Sequence, residues 1–360
     1  MRIKVLSRAS SVGAGDFEFR PGYVFTNDSA CIDYDWLVVY DETPSTDSGT
    51  FRNGHEELKC PKERTILATT EPISIKRYSK VYAHQFGHLL TNRPFEAEKH
   101  PHYHLGRGYY WWYIGRSYRE YENLTITKAK NVSVVSSSKK MRYTKHKARF
   151  EVAEYLTKCI PEMDWFGRGV RDFKRKYEVL EPYKYHVTLE NHIGKHHWSE
   201  KLADAFLAEC LPFYAGDPVA DEIFPKESFI PIPIDDPEAA AGIIKEAIAN
   251  CEYEKRREAV LEAKRLILEK YNFFAQVIEV IEGSKDQSLT PVDINRPVRI
   301  YGRKALRKRN PFVAISDGAA HLNEYIQRFL CIQSWGWVRR FKNQSVVENG
   351  PRSLQRKAPR

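Results

Sequence analysis

One stretch of this chain gathers side chains able to hold a polyanion and a polyol side by side: Glu190-Asn191-His192-Ile193-Gly194-Lys195-His196-His197-Trp198-Ser199-Glu200-Lys201. Ser199 is a helix N-cap residue placed just before an apolar-periodic run. The N-terminus of the helix it opens offers free backbone N–H groups and a partial positive charge, which suit a diphosphate. Lys201 adds a full positive charge there. Glu190, Asn191 and Glu200 can accept hydrogen bonds from ribose or sugar hydroxyls. A capped helix behind a solvated polar loop gives the same pattern, so the stretch alone leaves both readings open.

The elements around it decide what it could face. Ile3 to Leu6, Trp36 to Tyr40 and Thr65 to Ala68 are short apolar runs closed by polar or turn residues, and they predict strands. Val132 to Val135 opens a second series. A helix is predicted over Lys147 to Cys159, a strand over Tyr185 to Leu189 and a helix over Ser199 to Cys210. Strands follow at Leu211 to Ala215 and Ser228 to Ile232. Asp236-Pro237 starts a further helix, with Asp as cap and Pro at the first position, and a charged helix covers Tyr253 to Tyr271. Such alternation implies parallel sheets flanked by helices. The expected division is two doubly wound α/β domains, 1–125 and 126–290, and a basic, partly helical tail, 291–360. In open parallel sheets ligands bind beyond the C-terminal strand ends, where Glu190 to Lys201 falls.

The segment YKYHVTLENHIGKHHWSEKLADAFLAECLPFYAGDP and the later FPKESFI resemble the signature of the family 10 fucosyltransferases. The matching features are the acidic-asparagine pair Glu190-Asn191, the Ser199-Glu200-Lys201 triplet opening a helix, the Pro212 to Gly216 strand turn and the Pro225 to Ile230 strand. Weaker similarity runs upstream through Val134 to Ser137, Arg149 and the Thr70-Glu71-Pro72 turn. His197 stands where the family commonly has tyrosine, Leu189 where it has phenylalanine, and Phe86-Gly87 where it has a Phe-Asp pair.

The resemblance implies a GT-B fold of two Rossmann-like domains facing across a cleft, with the donor on the C-terminal one. It implies an inverting glycosyltransferase that moves a sugar, L-fucose from GDP-fucose in the first instance, to a hydroxyl of a glycan or glycolipid in surface polysaccharide or lipopolysaccharide assembly. Arg149 and Lys201 match the cations on the diphosphate. Glu190, Asn191, His197, Ser199 and Glu200 match donor-binding positions, and Glu71 the catalytic base. An inverting transfer needs one base for the acceptor proton. Two cations and a helix N-terminus can carry the leaving diphosphate, so no metal and no cofactor beyond the GDP-sugar donor is expected. Another nucleotide-sugar donor on the same fold, or a non-catalytic glycan- or polyanion-binding protein, are the alternatives.

Other signals carry less. Asp33-Tyr34-Asp35 precedes the strand Trp36 to Tyr40, the wrong end for a ligand, and reads as a turn. His100, His102 and His104 lack the convergent spacing of a zinc site. Tyr109-Tyr110-Trp111-Trp112-Tyr113 suits stacking on a sugar face or packing between domains. The formal charge is +10, and from Arg296 to Arg360 there are 15 Lys and Arg against 3 Asp and Glu, so the rest of the chain is close to neutral. With Leu322, Ile326, Phe329, Trp337 and Phe341 nearby, that basic tail reads either as an anchor on an anionic membrane surface or as a helix packed on the body. No motif that reads nucleic acid is present. No run of 18 apolar residues occurs, and the six cysteines are scattered. A cytoplasmic protein is expected, with a peripheral place at the inner face of the membrane as its variant. Since every proposed site residue precedes it, removing the chain after Asn295 is expected to leave activity on a small acceptor intact.

Overall fold

A computed structural model describes residues 1–8, 16–71, 76, 78–93, 100–106, 114–122, 124–138, 145–285, 287–293 and 295–315. The aromatic run 109–113 and the apolar tail positions from Leu322 onward lie outside the described residues.

The N-terminal strands are β1 (Arg2–Ser7), β2 (Asp16–Arg20), β3 (Tyr23–Thr26), β4 (Trp36–Tyr40), β5 (His55–Glu57), β6 (Thr65–Ala68), β7 (His88–Thr91) and β8 (Tyr103–Leu105). Seven of them form one sheet in the order β2-β3-β1-β4-β6-β7-β8, parallel except for the β2–β3 hairpin. β9 (Lys130–Val135), β10 (Met163–Phe166), β11 (Tyr183–Leu189), β12 (Leu211–Ala215) and β13 (Ile230–Pro231) form a second, all-parallel sheet, ordered β10-β9-β11-β12-β13. These are two Rossmann-like α/β units. Both sheets are covered on both faces, which is why their central strands are continuous apolar runs.

In the first sheet the period of two sorts the side chains. Ile3, Val5, Trp36, Val38, Tyr40 and Ile66 point to one face, where Phe273, Phe274, Val277 and Ile281 cover them. Leu6, Leu37, Val39, Leu67 and Leu89 point to the other, against Tyr78, Tyr82, Phe86 and Ile300. The helix Phe273–Glu282 therefore packs on the N-terminal sheet although it follows the second unit in sequence. Asn272 makes the return possible. Its amide donates to the carbonyls of Ile267 and Leu268 at 2.9 Å, ending one helix, and its oxygen accepts from Ala275 N at 2.9 Å, starting the next.

Lys4 breaks the apolar pattern of β1 and is fully buried. Its Nζ lies 3.0 Å from Glu56 Oε1 and donates to the carbonyls of Ser29 and Cys31 at 3.1 and 2.9 Å. A buried ion pair with every proton placed fixes where the β5 excursion docks more than it adds to stability.

The tail is not separate at its start. β14 (Arg299–Tyr301) pairs antiparallel with β5, and Ile300 is 0% exposed. The helix Arg303–Arg309 follows and lies against the loop after β4. Gly54, at φ +76°, allows this approach, since a Cβ there would sit 2.7 Å from the Ala305 Cβ. The expectation that everything after Asn295 is dispensable is therefore corrected: residues 299–313 complete the N-terminal unit. Among the described residues no helix is long and apolar enough to cross a membrane.

Candidate active site

The C-terminal ends of β11 and β12 form the floor of the candidate site. Leu189 closes β11, and the backbone N–H of Glu190 still bonds to Ala215 O at 2.9 Å. The loop that follows then turns into the helix Glu200–Leu207. Glu190 is 1% exposed and faces into its own loop: Ser199 donates to it from the backbone N at 2.9 Å and from Oγ at 2.7 and 2.6 Å. Ser199 Oγ in turn accepts from Lys201 N, the N-cap bond expected from sequence. Glu190 thus holds the cap in place, with its own oxygens occupied by Ser199 and Lys201.

Lys201 Nζ lies 3.3 Å from Glu190 Oε2, 3.0 Å from Glu200 Oε1 and 2.9 Å from Ser199 Oγ. Burial opposes its charge, but Glu190 and Glu200 outweigh that and raise its pKa. Burial also works against the Glu200 carboxylate, yet Lys201 and Lys176 hold its pKa down at about 2. Both groups are charged at neutral pH. Ser199→Ala removes the cap and the one hydroxyl proton that the Glu190 carboxylate shares, so it should cost about 1–2 kcal/mol, read as a lower urea midpoint at unchanged m-value.

Arg149 reaches the same loop from the helix His146–Cys159. It is 7% exposed, its Nη1 donates to Asn191 Oδ1, and its Nε has no partner. Burial lowers its pKa, and Glu190 and Glu200 oppose that shift. A buried guanidinium with an unsatisfied N–H is expensive unless an anion completes it.

The first sheet meets this loop with its own C-terminal strand ends. Asn92, just after β7, brings Nδ2 to 3.0 Å from His197 Nδ1. The His197 ring sits edge-on to His192 at 5.2 Å. Burial, then the neighbouring His192, Arg93 and Lys201, push its pKa down to about 3, so the ring is neutral. Glu71, just after β6, is exposed at the cleft. The surrounding protein, then the charges of Asp41 and Glu200, raise its pKa, while Lys76 and Lys201 pull the other way. The base candidate and the Glu200-Lys201 pair, drawn from opposite sheets, therefore share one electrostatic neighbourhood.

The eight predicted site residues fall in one neighbourhood: Arg149 bonds Asn191; Glu190, Ser199, Lys201 and Glu200 form a second bonded group at the same loop; His197 lies on that loop; and Glu71 feels the charges of Glu200 and Lys201. Sequence reading missed Asp41, Lys76, Asn92, Arg93 and Asp217. Lys76 Nζ bonds Asp41 at 2.8 Å, and Arg93 Nη1 donates to Lys76 O at 3.0 Å. Asp217 is 3% exposed, accepts from Val219 N at 3.1 Å and keeps Oδ2 unpaired. It borders a cavity of about 700 Å³ with Ile193, Tyr214 and Phe229. The rule that drew attention to Glu190, a polar residue directly after a strand, also fits Asp41 and Asn92, and Asp217 lies one residue further on, after Gly216. Asp33 is exposed, 4.0 Å from Arg2 Nη1, and Asp35 accepts from Arg2 N at 2.8 Å, so this segment docks beside the start of β1 and does not form the expected turn. Among the described residues no group of three or more His, Cys, Asp or Glu could hold a metal ion.

Residues 126–261 match the family model for glycosyltransferase family 10 (fucosyltransferase), C-terminal part. No curated protein matches the chain. Among solved structures, an α1,3-fucosyltransferase with GDP is 14% identical, covering 76% of this chain and 92% of its own, at a TM-score of 0.42. The same kind of enzyme with GDP-fucose is also 14% identical, over 81% and 92%, at 0.42. A glycosyltransferase from Rickettsia africae is 10% identical, over 71% and 78%, at 0.42.

Proposed function

We propose that this chain, a glycosyltransferase whose residues 126–261 carry the C-terminal domain of family 10, transfers L-fucose from GDP-fucose with inversion to a hydroxyl of a glycan or glycolipid. One observation carries the reading: Arg149 and Lys201 converge at one helix N-terminus, and Glu71 stands across from them on the other sheet.

Arg149, with its unsatisfied Nε, and Lys201 hold the diphosphate, and the N–H groups at the start of the helix Glu200–Leu207 add to them. Glu200 accepts from the ribose or sugar hydroxyls. Asn191 keeps the Arg149 guanidinium aimed, and Glu190 keeps the Ser199 cap and Lys201 in register. His197 stays neutral and lines the donor loop. The acceptor hydroxyl attacks the anomeric carbon from the side opposite the diphosphate, and Glu71 takes its proton as the new C–O bond forms. The bond to GDP breaks through an oxocarbenium-like state, and the charge that develops on GDP falls on the two cations. No step needs a metal. The reaction belongs in the cytoplasm, in surface glycan or lipopolysaccharide assembly, with residues after Ile315 holding the enzyme to an anionic inner membrane face. The five described cysteines are all unpaired, which supports that compartment.

GDP should stabilise the protein more than UDP, ADP or CMP without added metal. At a hundredfold excess over the dissociation constant the gain is about 2.7 kcal/mol, visible as a raised melting temperature. A larger shift with UDP and manganese would rule out both the donor and the metal-free mechanism.

A further inference from the structure

A cavity of about 390 Å³ opens beside the C-terminal ends of β1 and β4, one wall of it made by the helix Arg303–Arg309. Arg8, Arg303, Lys304 and Lys308 line it, with Glu42 and Asp47 as the acidic members. Glu42 is already shared: Lys76 Nζ bonds it at 2.9 Å, and Arg8 and Arg303 approach it at 3.5 and 3.7 Å. Lys304 and Lys308 are exposed and form no ion pair among the described residues. They stand four residues apart on one helix, an arrangement in which like charges destabilise the helix slightly.

Docking does not explain those two lysines. Ile300, at 0% exposed, Val313, at 3%, and the partly buried Leu306 hold the segment to the body. The wall is also tightly set. Gly302 N donates to Gly54 O at 2.9 Å, and a Cβ on Gly302 would lie 2.6 Å from Thr43 Oγ1. The result is a fixed concave surface with an excess of positive charge.

Its position says what it faces. β4 and β6 are neighbours, so Glu42 and Glu71 follow adjacent strands, which lie ~4.8 Å apart. Lys76 bonds both Asp41 and Glu42, and Asp41 and Lys76 are among the charges that act on Glu71, so the Glu42 wall of the cavity neighbours the base candidate, on the side away from His197 and the donor loop.

We infer that this cavity is an acceptor subsite for an anionic group, the carboxylate of an acidic sugar or a phosphate ester, carried one or two units from the hydroxyl that receives the sugar. The exposed guanidinium of Arg8 matches either oxyanion, Arg303 adds charge from beside Glu42, and Lys304 and Lys308 supply point charge at the mouth. The inference rests on the reading above, in which Glu71 serves the acceptor.

The test is calorimetric titration of the full chain, in the presence of GDP, with three probes: trigalacturonate, galactose 6-phosphate and neutral galactotriose. An anionic probe should bind with an affinity that falls as salt rises, and galactotriose should bind at least tenfold more weakly. Which anionic probe binds tells carboxylate from phosphate. In the double variant Lys304→Glu, Lys308→Glu that affinity should drop at least tenfold, while melting temperature and GDP shift stay unchanged. Absence of binding by both anionic probes overturns the subsite. So does undiminished binding by the double variant, which would place the anion on other basic residues. The GDP shift reports separately on the donor reading, since it can hold while the subsite fails.

Discussion

Glu71→Gln lowers sugar transfer by roughly 10²–10⁴-fold, the span expected when a positioned general base loses its proton-accepting oxygen. GDP binding should be unchanged, because Arg149, Asn191, Ser199 and Lys201 are untouched and the new side chain is isosteric. The acid limb of the pH profile supplies a second readout. Surrounding protein first, then Asp41 and Glu200, lift the Glu71 pKa above the usual glutamate value of 4.5. The base is active only when deprotonated, so kcat/KM should rise with pH through an inflection above that value, and the inflection should vanish in the variant. Glu200 cannot produce it, since Lys201 and Lys176 overcome burial and keep its pKa at about 2. Near wild-type transfer by Glu71→Gln would move the base to another group and remove the main reason for pairing the two sheets in one mechanism.

Much of this arrangement is legible in the sequence, and what is hidden has physical causes. Trp36–Tyr40, Thr65–Ala68 and Leu211–Ala215 form strands with the expected bounds because each is a continuous apolar run buried on both faces. Ser199 and Asp236 cap their helices as read, since a cap bond is local: each side chain accepts from a backbone N–H two or three residues on. Strands β2 and β5 are not visible. Their side chains alternate between half-buried and more exposed or more buried, and they carry several charges, so their pairing partners define them. The helix Phe273–Glu282 has a helical period, with Gln276, Glu279 and Glu282 on one narrow polar stripe and eight of its side chains buried, and the sequence reading passed over it. Lys4 looks like a solvated residue inside β1, and only the arrival of Glu56 from 52 positions away makes its burial possible. The donor loop was legible because its chemistry is continuous in sequence. On the other sheet only Glu71 was, through the resemblance, because Asp41 and Asn92 come from separate strand ends with no continuous motif.

The tail shows the same limit and yields the other large effect. Ending the chain after Asn295 should abolish folding of the N-terminal unit. It removes Ile300 and Val313 from the interior, roughly 1.5–3 kcal/mol each. It also takes away the strand pairing with β5 and the ion pair of Arg299 with Glu57 at 2.8 Å, and uncovers Tyr82 and Phe86 beneath. Against a domain stability of about 5–15 kcal/mol such a loss is large, and the product should be insoluble or lack a cooperative transition. Ending the chain after Ile315 should instead leave melting temperature, GDP shift and transfer to a small acceptor unchanged. The two cuts also divide the positive charge. Seven of the 15 cations after Asn295 fall within 296–315, and eight follow Ile315 against 3 acids. Arg299 and Arg303 of the first group are engaged by Glu57 and Glu42. The second group brings a net positive charge together with Leu322, Ile326, Phe329, Trp337 and Phe341. Each basic residue near an anionic surface contributes about 1 kcal/mol, within a Debye length. Flotation with phosphatidylserine vesicles should therefore recover the full chain at low salt, less of it at high salt, and none of the chain ended after Ile315. Recovery of that shorter chain at full yield would put the membrane contact on the folded cations around Arg303 and deny the tail its anchoring part. A shorter chain that lost GDP binding as well would show the tail to be part of the folded body.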